Sequence, residues 1–310
     1  MAKAGGGPAV VFALLFALAG CGGFLRGSAG DGFAPERVLL DSIPFYAQED
    51  YQCGPAALAM LLAWNGEEVA LPRLTAQVYS PALKGSLQPA IIATARRHGY
   101  LVHPLAGRGD LFHELAAGHP VLVLQNLGLS WLPRWHYAVV IGHDPGRNRI
   151  FLHSGRQEAV EISARVFENT WARSGHWGLL VLPPERLPAT ATESSFLAAA
   201  VGLEQAGQWP AAVAAYETAL GRWPGSFGAW VGLGNGRYTQ GDYEGAQNSF
   251  RQALLLQPGN GAVLNNLALA LAGAGRSQEA LAVIQQALEL GGARQEEFLR
   301  TRRKIIADGP

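Results

Sequence analysis

The strongest constraint on the fold is a repeat. Trp230-x-x-Leu233-Gly234 is matched thirty-four residues later by Leu264-x-x-Leu267-Ala268. Gly241, Tyr243, Ala246, Phe250, Ala253 and Pro258 fall in register with Gly207, Trp209, Ala212, Tyr216, Ala219 and Pro224 one period earlier, and Gly275, Ala280 and Ala287 stand one period later. A chain that repeats at this spacing folds as stacked helix–turn–helix units, because one unit alone cannot bury its apolar face. The small residues let paired helices approach and the large ones fill the gap between them. Gly closes the first helix of each pair and Pro follows the second. Three repeats are expected over residues 196–292, with a capping helix and tail over 293–310.

The segment WVGLGNGRYTQGDYEGAQNSFRQALLLQPGN resembles the tetratricopeptide repeat (TPR) along its whole length. The resemblance implies a short all-α solenoid whose concave face takes a peptide or protein partner. Residues 183–195 (PPERLPATATESS) are rich in Pro, Thr and Ser and read as a linker. Before them, residues 38–182 mix short helical and strand patterns and form a separate domain. The formal net charge is zero, so neither nucleic acid nor any other partner of one sign is indicated.

The N-terminus reads as a targeting segment. Lys3 precedes an apolar run, residues 9–19, too short to span a bilayer as a helix. The run ends Leu18-Ala19-Gly20-Cys21, which resembles the bacterial lipobox. That resemblance implies a signal peptide over 1–20, cleavage before Cys21 and a lipid on its thiol. Gly22 after the cysteine implies the periplasmic face of the outer membrane. Residues 21–37 are Gly-rich and read as a tether. The chain has only two cysteines, and lipidation consumes one. Cys53 is then a lone thiol in an oxidising compartment, a liability unless it is buried or used.

Cys53 sits where chemistry would place it. Pro55 suits a first helical turn, and Leu58, Leu61 and Leu62 follow as an apolar stripe up to Asn65-Gly66. The cysteine therefore opens a helix, where free amides and the helix dipole favour the thiolate and lower the thiol pKa. Downstream, Val121 to Asn126 and His136 to Gly142 read as buried strands, the second headed by a histidine. A strand-opening His can use both ring nitrogens, as a general base must.

Gln48-x-x-x-x-Cys53-Gly54-Pro55-Ala56-x-Leu58-Ala59-Met60, followed by His136-Tyr137-x-Val139-Val140-x-Gly142, resembles the papain-like cysteine peptidases that trim double-glycine leader peptides. The resemblance implies an α+β papain-like domain with N-terminal helices and an antiparallel sheet. It implies Cys53 as nucleophile, His136 as base and Gln48 as oxyanion-hole donor. In that family an Asp on the next strand orients the histidine, but here His153 and Ser154 occupy that place. Ser154 is one candidate orienting group. Asp144 is the nearest carboxylate in sequence, but a strand of seven residues would carry it about 20 Å from His136, and it reads as a turn former. No close ligand spacing points to zinc, and neither metal nor cofactor is expected.

The implied function is hydrolysis of peptide bonds in a peptide or protein substrate, at the membrane through a lipid anchor, with the repeats holding a protein partner. Two other readings use the same residues: an inactive papain-like module on a TPR scaffold, or a Cys–His amidase or transferase acting on cell-wall peptides.

Overall fold

The computed structural model describes residues 36–48, 51–68 and 70–308. The signal segment, Cys21 and most of the tether lie outside the described residues, as do Glu49 and Asp50 beside the cysteine motif. Among the described residues, no helix is long and apolar enough to cross a membrane.

The first domain begins with β1 (Val38–Leu39), and α1 (Cys53–Trp64) follows. Next come α2 (Leu71–Val78) and a short hairpin of β2 (Tyr79–Ser80) and β3 (Gly85–Ser86). Then α3 (Gln88–Arg97), β4 (Leu101–Pro104), α4 (Arg108–Ala116), β5 (Val121–Asn126) and β6 (Trp135–Asp144) succeed one another. The domain closes with β7 (Arg149–Ser154), β8 (Gln157–Ser163), α5 (Ala164–Ala172) and β9 (Gly178–Leu182). The main sheet is antiparallel throughout, in the order β4-β9-β5-β6-β7-β8, with β1 paired to the far half of β6.

Both faces of this sheet are covered, which explains the unbroken apolar run of β5. Leu122 and Leu124 join the core under α1, while Val121 and Val123 join the core under α4 and α5. Strict alternation divides β6 likewise: Tyr137, Val139 and Ile141 on the α1 face, Ala138 and Val140 on the other. The expected Leu stripe of α1 is present, but Gly54 to Leu62 are all buried. A helix enclosed on every side is apolar all round, and α1 is held between the sheet, α2, α3 and the hairpin.

The repeats form α6 (Glu193–Gln205), α7 (Trp209–Arg222), α8 (Phe227–Thr239), α9 (Tyr243–Leu256), α10 (Gly261–Gly273) and α11 (Ser277–Leu290), capped by α12 (Gln295–Asp308). The register read from sequence is the register of packing. A Cβ on Gly232 would enter the Tyr216 ring, and one on Gly234 would enter the Phe250 ring. The segment read as a linker is docked rather than free. The N–H groups of Ala189 and Thr190 donate to the buried Glu114 carboxylate at 3.2 and 2.7 Å. The first repeat helix also starts three residues earlier than expected, because Thr192 caps it.

Candidate active site

Cys53, His136 and Gln48 line one cavity of about 820 Å³ at the open end of β6. Three separate segments meet there. Cys53 is the first residue of α1, as its context required. The helix start comes close to β3: a Cβ on Gly54 would lie 2.6 Å from both Cβ and Oγ of Ser86, so only glycine fits beside Cys53 without a shift. Tyr137 fixes the same hairpin from the sheet, its hydroxyl donating to the Ser86 carbonyl at 3.1 Å.

The electrostatics of Cys53 differ from the sequence expectation. Burial raises its thiol pKa above the ordinary 9.0, against the backbone N–H groups of Tyr137, Gly54 and Cys53 itself, which favour the thiolate. Desolvating a small anion outweighs three partial charges here. His136 is half-buried, and burial, then the charge of Arg134, holds its pKa below 6.5. The resting pair is accordingly a neutral thiol and a neutral imidazole near neutral pH.

His136 Nε2 lies 2.8 Å from Ser154 Oγ, which leaves Nδ1 for a second partner. Ser154 therefore stands at the imidazole where the family pattern has a carboxylate. His153 does not take that role. It sits on the other side of β7, with Nε2 donating to the Ile43 carbonyl at 3.1 Å and Nδ1 accepting from Ala159 N–H at 3.0 Å. Asp144 is not brought to the cavity. It ends β6 at the opposite extreme from His136, accepts from Arg147 N–H at 2.9 Å within the turn, and approaches Arg37 at 3.9 Å. Its candidacy as a catalytic carboxylate is thus corrected: the length of β6 separates it from the imidazole.

Gln48 is held by its own backbone, whose N–H donates to the Gly155 carbonyl at 3.0 Å. Its side-chain Nε2 is buried without a hydrogen-bond partner among the described residues. Such an amide costs about 1–3 kcal/mol when left unpaired, so a buried orphan donor at a cavity wall calls for an explanation.

The sequence reading missed the rest of the wall. Leu83 to Leu87, Arg134, Trp135 and Arg156 also line the cavity. Arg134 and Trp135 are placed by the β5–β6 connection, where Asn126 Oδ1 accepts from the N–H groups of Gly128 and Arg134, both at 2.9 Å. The available signal was adjacency: Arg134 stands two residues before His136, and Arg156 two after Ser154. Among the described residues no three His, Cys, Asp or Glu side chains converge as a metal site.

Residues 40–178 match the peptidase C39 like family, and residues 197–235 and 231–294 match the tetratricopeptide repeat. No match is found among curated proteins. Among solved structures, one described as a C39-like peptidase from Bacillus anthracis aligns at 18% identity and TM-score 0.41, over 47% of this chain and 98% of that one. The TPR2B domain of yeast Sti1, solved in a complex with pHsp70, aligns at 16% identity and TM-score 0.36, over 37% of this chain and 96% of its own. YrrB, a TPR protein with an unusual peptide-binding site, aligns at 24% identity and TM-score 0.34, over 38% of this chain and 60% of its own. The first domain, helices on an antiparallel sheet, thus resembles the peptidase C39 like family over residues 40–178, and the helices after it match the tetratricopeptide repeat.

Proposed function

We propose that this protein hydrolyses peptide bonds through Cys53 and His136. The observation that carries the reading is the shared cavity: a helix-opening thiol, a serine-held imidazole and an unpaired buried amide on one wall. In the proposed reaction His136 Nδ1 takes the thiol proton as Sγ attacks the substrate carbonyl carbon. The resulting oxyanion accepts from Cys53 N–H and Gln48 Nε2. His136 then gives the proton to the leaving amine as the C–N bond breaks. Water, deprotonated by the same imidazole, attacks the thioester, and the thiol is released with its proton. Ser154 holds the ring during both transfers.

The test is turnover of a peptide library. Cys53→Ala is expected to abolish it, and Gln48→Ala to lower kcat by about 10²–10³-fold, the loss typical of one oxyanion donor. Equal turnover by wild type and Cys53→Ala removes the reading.

The raised thiol and the absent carboxylate favour one other reading, an inactive papain-like fold that binds peptides without cutting them. Stable, stoichiometric peptide binding by the wild type without products would identify it. The repeats are read as a site for a protein partner on the face shared by α6, α8 and α10. There Glu204, Asn235, Tyr238 and Asn266 line a hollow of about 260 Å³. Anchoring through Cys21 at the outer membrane is part of the same proposal, supported by the lipobox-like sequence. Incorporation of labelled fatty acid that survives Cys21→Ser would rule it out.

A further inference from the structure

We infer that the hairpin joining β5 to β6 inserts its tip into an anionic lipid surface. The inference goes beyond the peptidase reading and does not need Cys53 to react. From the proposed anchoring at Cys21 it takes only the nearness of a bilayer. Its basis is apolar surface held out in water. Residues 127–135 read LGLSWLPRW, and Leu127, Leu129, Trp131, Leu132 and Trp135 are all exposed. They are five of the fifteen large apolar side chains that the described residues expose, gathered into nine positions. Single exposed apolar residues are ordinary, but a cluster of them marks a contact surface. Trp131 and Leu132 stand at the turn, 81% and 68% exposed, and Trp131 is the barest of the fifteen.

The hairpin is stiff, and its backbone bonds are made internally. Leu129 and Leu132 exchange N–H donors at 3.1 Å in both directions, and Leu127 N–H donates to the Arg134 carbonyl at 2.9 Å. Asn126 Oδ1 takes the Gly128 and Arg134 N–H groups, and Arg173 donates to the Asn126 and Gly128 carbonyls at 3.2 and 2.8 Å. A segment that enters lipid must satisfy its own amides, which this pattern does for most of the hairpin. Its sequence fits the same surroundings. From Pro120 to Pro133 there is no charged residue, so no charge has to leave water. Arg134 and Arg173 are exposed at the hairpin's base, at the level where cations meet anionic headgroups. Indole is the side chain that favours the boundary between headgroups and acyl chains. A bilayer is also within reach of the chain. The described residues begin at Glu36, fifteen residues after Cys21, and β1 pairs beside His143, about 30 Å along β6 from Trp135. Fifteen residues extend to about 50 Å, so a lipid at Cys21 and the hairpin can meet one membrane. Pro133, Arg134 and Trp135 line the reactive cavity, so docking here would hold its mouth at the headgroups.

The test uses the full-length chain carrying Cys21→Ser, which cannot take a thioether lipid, and vesicles of phosphatidylcholine with or without phosphatidylglycerol. Flotation is expected with the anionic vesicles, weaker with phosphatidylcholine alone, and reduced by salt. Adding Trp131→Ser/Leu132→Ser should lower partitioning by at least about tenfold, because two apolar side chains no longer leave water. Its Tm should match the parent, since both side chains are exposed. Any binding by the apolar run 9–19 is common to both proteins. Lipids brominated on the acyl chains report depth: they should quench part of the parent's tryptophan fluorescence, and Trp131→Phe should still float but lose that part. Equal flotation and equal quenching in parent and double variant overturn the inference. So does a double variant that floats like the parent yet loses peptide turnover, which would make the hairpin a wall for substrate. A parent that does not float but dimerises through Trp131 and Leu132 overturns it in favour of a second copy of the chain. Failure of the anchor reading is seen separately, by fatty-acid labelling at Cys21, and leaves the result in this unlipidated background unchanged.

Discussion

A cysteine at a helix start and a histidine at a strand start were both legible, because position along an element is written in apolar spacing. Their protonation was not, because it depends on how much water the closed fold leaves around the sulfur. Burial raises the Cys53 thiol and lowers the His136 imidazole, so neither group is charged at rest. Thiol alkylation measures this. The rate follows the thiolate, so its midpoint with pH is expected above the ordinary 9.0. Ser154→Asp places a carboxylate on His136 Nε2, raises the imidazole pKa and gives the thiolate a cationic partner. Its alkylation midpoint is expected to fall below that of wild type. An unchanged midpoint would mean that the serine does not govern the ring. The third group was half-legible: the family pattern pointed to the strand after His136, but only coordinates distinguish His153, bonded to Ile43, from Ser154, bonded to His136. Arg134 and Arg156 were legible only by their adjacency to His136 and Ser154, and Lys84 not at all, because turns carry no periodicity from which to read a direction.

At the scale of elements, α1, β5, β6 and the repeat helices were readable because each carries a long apolar pattern. The β2–β3 hairpin was not: two residues per strand give no alternation to detect. Yet this hairpin supplies one wall of the cleft and sets how near α1 can come. Gly54 is the contact between them, and that contact is testable. Gly54→Ala introduces a Cβ 2.6 Å from Ser86 Cβ, so the hairpin or the helix start must move. Overpacking of this kind costs about 1–3 kcal/mol, and the expected result is a lower Tm together with lost turnover. Adding Ser86→Gly removes the opposing side chain and should recover most of the Tm. If Gly54→Ala matches wild type in both measurements, the close approach is not what holds the cysteine in place.

Across the whole molecule, the peptidase-like domain and the repeats share buried ground. Leu101 of β4 lies in the apolar core of the first repeat, His103 Nε2 is 3.0 Å from Ser195 Oγ, and Glu114 accepts from Thr190 N–H and from its hydroxyl. Composition described the connecting segment correctly as polar and Pro-rich. It could not reveal that a buried carboxylate waits for its amides. His103, His136, His143 and His153 are all pushed below the ordinary 6.5 by burial. The unfolded chain therefore binds more protons than the folded one once pH falls below about 6.5, and ΔG of unfolding decreases with falling pH. Each histidine contributes a slope of up to ~1.4 kcal/mol per pH unit between its unfolded and folded pKa values. Glu114, held below its ordinary 4.5 by His119 and the Thr190 and Ala189 donors despite burial, adds a separate loss at more acid pH. Urea midpoints are expected to be flat between about pH 6.5 and 8 and to drop steadily below that window, well before carboxylates titrate. His103→Gln, which keeps a donor for Ser195 but cannot take a proton, should reduce that acid slope. Midpoints that stay level until the carboxylate range would show that the buried imidazoles do not set the acid limit of this fold.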